Sequence, residues 1–197
     1  MNRKILLIAN PCSGKKTGRK KVEDIVRYLS DGKNTVTVKK TAGRGDATQI
    51  AEKYGNDYDL IACSGGDGTF NEVINGIVQL EHKVPVAYIP NGTTNDTAKT
   101  LSLPTNLADL AKIIKEQQYN KCDLGLFNER HFFCAVSFGF GAKASFTTKQ
   151  SLKNRIGHIA YILSGIKNIS DIRPIEMDIE FDNQNISGEF IFGAVIN

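Results

Sequence analysis

One aspartate stands among three glycines in Ser64-Gly65-Gly66-Asp67-Gly68-Thr69, and an Asn71-Glu72 pair follows directly after Phe70. Residues of these types suit one kind of chemistry. Glycine lets an anion approach bare backbone because no Cβ stands in the way, and the amino end of a helix adds free N–H groups and its dipole. A lone Gly-Gly pair would predict only a tight turn between a strand and a helix. Three glycines around an acidic residue, with Asn and Glu in the next turn, predict a nucleotide loop. Two familiar templates fail at this point. A G-x-G-x-x-G fingerprint needs glycine where Asn71 stands, and a Walker A loop around Gly14-Lys15 needs glycine at Ala9 and a hydroxyl residue at Lys16.

The elements that must position such a loop can be read on either side of it. Leu60-Ile61-Ala62-Cys63 is short, apolar and ended by glycines, which predicts a strand buried on both faces of a parallel sheet. Phe70, Val73, Ile74 and Ile77 follow at helical spacing, and Thr69 is the expected cap of that helix. Upstream, the pattern predicts a strand over 4–9, a helix over 19–29 with Val22, Ile25, Val26 and Leu29 on one face, and a strand over 35–41. A helix over 47–54, capped by Asp46, completes that part. Downstream come a strand over 86–89 and helices near 95–101 and 107–116. Strands alternating with helices in this order predict a doubly wound, mainly parallel α/β sheet over residues 1–121. The texture then changes. Residues 122–197 predict the start of a mainly antiparallel β-sandwich domain, with turns at Asn128-Glu129 and over 182–185 and one helix over 145–169. The ending "FIFGAVIN" stops in an apolar strand, so the sequence reads as the front of a longer protein, truncated within this β region, or as a chain that pairs this edge in a homodimer.

Composition excludes several classes. The chain has 197 residues, 41% hydrophobic and 23% charged, with 25 Lys and Arg against 21 Asp and Glu. That mild excess of +4 does not predict a nucleic-acid partner. No stretch approaches the roughly 20 apolar residues of a membrane span, and the apolar run at the start is too brief for a signal peptide. The cysteines, Cys12, Cys63, Cys122 and Cys134, form no C-x-x-C pair, which predicts free thiols in a reducing cytoplasm. His82, His131 and His158 lack ligand spacing. Basic residues cluster at Lys15, Lys16, Arg19, Lys20 and Lys21, and again at Lys149, Lys153, Arg155 and Lys167. A solvated helix face accounts for most of them, with contact to nucleotide phosphates or anionic headgroups as the functional alternative.

Four polar loops follow the predicted strands and should gather on one edge of the sheet. They contain N-P-x-S-G from Asn10, the segment Thr41-Ala42-Gly43-Arg44-Gly45-Asp46, G-G-D-G-T-x-N-E-V-x-N-G from Gly65, and P-x-G-T-x-N-D from Pro90. This combination closely resembles the diacylglycerol kinase catalytic domain family, and within it the soluble bacterial lipid kinases. The likeness covers the first 121 residues and continues more loosely beyond. G-G-D-G-T alone is shared with NAD kinases, but three motifs in order at matching spacing are specific.

The resemblance implies an ATP-dependent lipid kinase that uses Mg²⁺ and phosphorylates a lipid alcohol, diacylglycerol by default. Asn10, Pro11, Cys12, Ser13 and Gly14 would hold the nucleotide near its phosphates, and Thr41 would touch it from the second strand's end. Gly65, Gly66, Asp67, Gly68, Thr69, Phe70, Asn71 and Glu72 would form the central phosphate loop, with Thr93 completing the pocket. Asp67 is the residue the family implies is needed for activity. A carboxylate there gains nothing structural from a turn of glycines, and a Mg²⁺ ion or its water shell would relieve its repulsion from a triphosphate. Asp96 and Asp123 match family positions of the same acidic and water network, against the alternative of a helix cap or turn. The general base and a structural metal site are implied later in the sequence, so these 197 residues alone would be nearly inactive. A lipid acceptor implies a cytoplasmic enzyme touching the inner face of the membrane peripherally. NAD kinase and a nucleotide-binding or regulatory module without kinase activity are the competing readings.

Overall fold

In the computed structural model, which describes residues 2–14, 21–139 and 173–197, the chain divides into two compact units, 1–134 and 135–197. The first is built on a parallel sheet of four strands in the order β2-β1-β3-β4: β1 Lys4–Ala9, β2 Thr35–Lys40, β3 Leu60–Gly65 and β4 Val86–Pro90. Each strand is followed by a helix, α1 Val22–Ser30, α2 Asp46–Tyr54, α3 Asp67–Ile77, α4 Asp96–Thr100, and α5 Leu107–Lys115 comes after α4. The apolar runs explain the layering. Leu6 and Ile8 of β1 with Ile61 and Cys63 of β3 pack against Ala47 and Ala51 of α2 and Phe70, Val73 and Ile74 of α3. Their neighbours in sequence, Ile5, Leu7, Leu60 and Ala62, face the other way onto Ile25 and Leu29 of α1 and Ile114 of α5. Every residue of β3 is buried, as a strand covered on both faces must be. This is the doubly wound arrangement that the alternation predicts.

Two expected caps are corrected. Asp46 opens α2 but does not cap it. Its carboxylate instead accepts the backbone N–H groups of Ala42, at 2.7 Å, and Gly43, at 2.9 Å, and so folds the loop before the helix. Thr69 is already inside α3, which begins at Asp67 with Gly66 as its N-cap, and its hydroxyl accepts a hydrogen bond from Asn10 Nδ2 at 2.9 Å. In both cases the glycine ahead of the helix takes the capping position, and the polar side chain ties loops together instead.

A hairpin of β5 Gly125–Phe127 and β6 Arg130–Phe132 turns at Asn128-Glu129, with Asn128 at φ 52°. It belongs to the first unit rather than the second. Asn75 of α3 accepts from the His131 backbone N–H at 2.9 Å and donates to its carbonyl at 2.8 Å. Those bonds place the boundary between units at Cys134, later than the change of texture at 121.

The second unit contains antiparallel pairs. Strand β7 Ala135–Gly139 pairs with β10 Phe192–Ile196, and β8 Ile175–Phe181 pairs with β9 Gln184–Phe190. The β8–β9 turn is Asp182-Asn183, both at positive φ, the conformation that two-residue hairpins favour. The helix expected over 145–169, with its basic residues, lies outside the described residues, as do Lys15, Lys16, Arg19 and Lys20.

Candidate functional site

Strand order turns back between β1 and β3, so the loops after these strands flank the crevice where open α/β sheets take ligands. Hydrogen bonds of the sheet run on past the strands and bind the loops side by side. The N–H of Asn10 donates to Ser64 O at 2.9 Å, that of Thr41 to Ala9 O at 3.0 Å, and that of Asn91 to Gly65 O at 2.7 Å.

The first loop is closed by its own side chains. Asn10 Oδ1 accepts from the Cys12 N–H at 2.9 Å, while the Ser13 hydroxyl donates to the Asn10 carbonyl at 2.9 Å. Ser13 and Gly14 are buried, whereas Pro11 and Cys12 are exposed. Gly14 sits at φ +69°, and a Cβ there would overlap the Asn91 carbonyl oxygen. In the second loop Thr41 is buried at the end of β2.

The glycines of the third loop have unlike surroundings. An added Cβ on Gly65 would lie 2.5 Å from the Thr69 side chain, and one on Gly66 would lie 3.2 Å from the Gly92 Cα. A Cβ on Gly68 would meet no protein atom within 4 Å, and this residue is exposed. Protein contact therefore explains the first two glycines and not the third, whose bare backbone faces open space. Phe70 is in the core, its ring 4.6 Å from that of Tyr88 and 5.4 Å from that of Phe133. Asn71 and Glu72 are half-buried on α3, and the Glu72 carbonyl accepts from the Thr48 hydroxyl at 2.9 Å.

Asp67 has a structural task that the sequence does not disclose. Its Oδ1 accepts the Thr97 N–H at 3.0 Å and its Oδ2 accepts the Asp96 N–H at 3.2 Å, so one carboxylate fastens the third loop to the start of α4. The expectation that a carboxylate gains nothing structural here is overturned, because its partners lie 29 and 30 residues away. The Asp96 carboxylate points elsewhere, to an exposed pairing with Lys99 Nζ at 2.9 Å. Thr93 is half-buried within the fourth loop, and Asp123 is exposed just ahead of the β5–β6 hairpin. The fourth loop is folded around Asn95 at φ 51°, whose Oδ1 accepts the Gly92 N–H at 2.8 Å while its Nδ2 donates to the Gly92 carbonyl at 3.1 Å.

These loops present backbone N–H groups, one held carboxylate and an exposed glycine at a sheet edge, an arrangement suited to a phosphate chain. A cavity of this unit is lined by Phe70 and Tyr88 but by no residue of the first, second or fourth loop. It is an apolar pocket of about 420 Å³ between β4 and α5, lined by Val86, Leu101, Leu103, Ile113 and Ile114. Among the described residues of its lining Lys83 alone is charged, and a single cation does not make a cradle for a phosphate chain.

Residues 4–127 match the family model described as the diacylglycerol kinase catalytic domain. The chain belongs to that family. It is 34% identical over 184 residues to a diacylglycerol kinase of Staphylococcus haemolyticus, covering 93% of this chain and 56% of that protein. A diacylglycerol kinase of Staphylococcus saprophyticus is 32% identical over 190 residues, covering 96% of this chain and 62% of the relative. A crystal structure of a diacylglycerol kinase from Bacillus anthracis superposes with a TM-score of 0.73 at 30% identity, covering 97% of this chain and 63% of that one. The chain thus spans about three fifths of the length of these relatives.

In this member of the diacylglycerol kinase family, the sequence motifs contain groups whose importance only the structure reveals. Asn91, buried in the fourth loop, donates to the Ser64 hydroxyl at 3.1 Å across to β3. Asn95 lies inside P-x-G-T-x-N-D, and its type and place ahead of a helix were a signal for a left-handed turn. Tyr88 carried no signal. It is 4% exposed, with its hydroxyl 3.5 Å from Asp67 Oδ1 and 3.3 Å from Asn95 Oδ1. Burial first, and then the Asp67 charge, push this phenol well above its usual range, so it remains a donor. Burial likewise pushes the Cys63 thiol up, with Glu72 adding to it, and keeps that cysteine an inert part of the core.

Proposed function

We propose that this chain carries the ATP-binding part of a lipid kinase that transfers the γ-phosphate of ATP to the hydroxyl of a lipid alcohol, with diacylglycerol the acceptor and phosphatidic acid the product. The observation that carries the reading is the fastening of Asp67 to the backbone at the start of α4, beside the exposed backbone of Gly68. A loop built this way aims donors and one negative charge at a single place before any ligand arrives. Phosphoryl transfer asks a protein mainly for such positioning and for neutralisation of charge.

In this reading Gly68 and the first-loop residues Asn10 to Gly14 lie along the phosphates, Thr41 and Thr93 border the nucleotide, and Asp67 faces the triphosphate. Among the described residues no cluster of three or more His, Cys, Asp or Glu could hold a metal ion. The donors present fit a Mg²⁺ ion brought by ATP, which uses one or two carboxylates together with phosphate oxygens and water. Asp67 is the first of those carboxylates; Asp123, and Asp96 once its carboxylate leaves its exposed pairing with Lys99, are assigned to the water network around it. The ion would neutralise charge on the phosphates, while the chain's own residues hold and orient them. The acceptor resides in a bilayer, so the enzyme meets the inner membrane surface peripherally from the cytoplasm. Among the described residues, no helix is long and apolar enough to cross a membrane.

Labelled γ-phosphate should appear in phosphatidic acid when the full-length kinase carrying this chain is supplied with ATP, Mg²⁺ and diacylglycerol micelles. Asp67→Asn should lower that rate at least ~10²-fold, the scale of one lost electrostatic contact in a transition state. Activity within a few-fold of wild type would sink the assignment. A second reading rests on the open backbone of Gly68, which serves nucleotide binding with or without transfer. In it the chain binds nucleotide without transferring phosphate, and saturable MgATP binding with no labelled lipid would select it.

A further inference from the structure

Tyr88 is a polar side chain of the core whose hydroxyl reaches the proposed phosphate site. It lies on β4, inside the cluster formed by Phe70, Ile74 and Ala98, and its ring is fixed by the contact with Phe70. A buried phenol needs an acceptor, because leaving its donor unpaired forfeits the hydration it had in the unfolded chain. The acceptors within reach are Asp67 Oδ1 and Asn95 Oδ1, at 3.5 and 3.3 Å. Both distances are long for a hydroxyl, so the proton is shared between two weak partners rather than committed to one. Asn95 Oδ1 already receives the Gly92 N–H at 2.8 Å, and Asp67 Oδ1 the Thr97 N–H at 3.0 Å. The phenol therefore stands between the third loop and the fourth and touches the key group of each. It acts on Oδ1 of Asp67, while Oδ2 accepts the Asp96 N–H at 3.2 Å and keeps a further lone pair for a cation.

We propose that Tyr88 is a positioning residue for Asp67: its hydroxyl closes on Oδ1 when the carboxylate engages the cation of MgATP, and so sets the direction of Oδ2. The inference rests on the reading of Asp67 given above. Phenylalanine at this position keeps the ring and its packing on Phe70 while removing only the donor. The effect should appear where the cation is present and vanish where it is not.

Calorimetric titration of ATP, once with Mg²⁺ and once with chelator, into wild type, Tyr88→Phe, Asp67→Asn and the double variant tests this directly. Tyr88→Phe should weaken MgATP binding roughly two- to tenfold, the worth of one hydrogen bond, and leave metal-free ATP within about twofold. It should add nothing in the Asp67→Asn background, as expected for two groups acting as one. Equal weakening of both ligands, an undiminished effect in the double variant, wild-type MgATP affinity for Tyr88→Phe, or failure of this variant to fold would each overturn the positioning role. Wild-type behaviour of Asp67→Asn, or no MgATP binding by the wild-type protein, would instead remove the reading beneath it.

Discussion

The first, third and fourth loops are knitted together by contacts along their length, whereas the second is tied in at its first residue, Thr41, and glycine serves opposite purposes in the two regions. In the knitted region Gly14 lies against the Asn91 carbonyl, and a Cβ on Gly92 would come within 2.5 Å of the Gly66 Cα. Side chains are missing there because backbone already fills the space. In the second loop, added Cβ atoms on Gly43 and Gly45 would meet nothing within 4 Å. Of those two, Gly45 is held to glycine by its φ of +89°, and Gly43 has no such reason. Gly68 shares the openness of the second loop while lying in the middle of the knitted region. This contrast separates glycines that hold the site together from the glycine that leaves room in it.

Substitution to alanine can break or sharpen the contrast. Gly14→Ala combines a left-handed backbone with overlap of the Asn91 carbonyl, so it should cost roughly 2–6 kcal/mol of stability, the sum of one strained residue and one overpacked contact. A urea melt reads this, and an unchanged midpoint would mean that the first and fourth loops are not in contact. Gly68→Ala should have a smaller effect of opposite sign, holding or raising stability by up to ~1 kcal/mol because alanine favours the helix it opens. The same variant should bind ATP more weakly, and calorimetry showing unchanged affinity would mean that no phosphate lies along Gly68. Gly43→Ala should do least, within about 0.5 kcal/mol in the melt. A large loss there would place an unrecognised contact on the second loop.

How far the sequence could be read depended on whether the cause was local. Strands β1 and β3 were legible because a run such as Leu60 to Cys63 can be buried only one way, and the Asn128-Glu129 turn because its residues suit the backbone they adopt. The four loops could be placed on one edge because parallel strands put all their carboxyl ends together. Asp67 was visible as a residue of interest, but its bonds to Asp96 and Thr97 form only when β3 and β4 are neighbours. Thr69 misled for the same reason. A threonine near a helix start predicts a cap, and nothing local tells that Asn10 will claim its hydroxyl. Tyr88 reads as an ordinary core aromatic until the fold carries its far end to a carboxylate.

The sheet hydrogen bonds that continue into Asn10, Thr41 and Asn91 also bear on what binding must cost. A loop that hangs free surrenders conformational entropy when a ligand arrests it, on the order of 1 kcal/mol for each residue fixed. Here the first residue of each of these loops is already bonded to its neighbour, so that loss is incurred when the protein folds and not when the ligand arrives. For those residues affinity then follows from charge and fit at the site, with no further backbone entropy to lose.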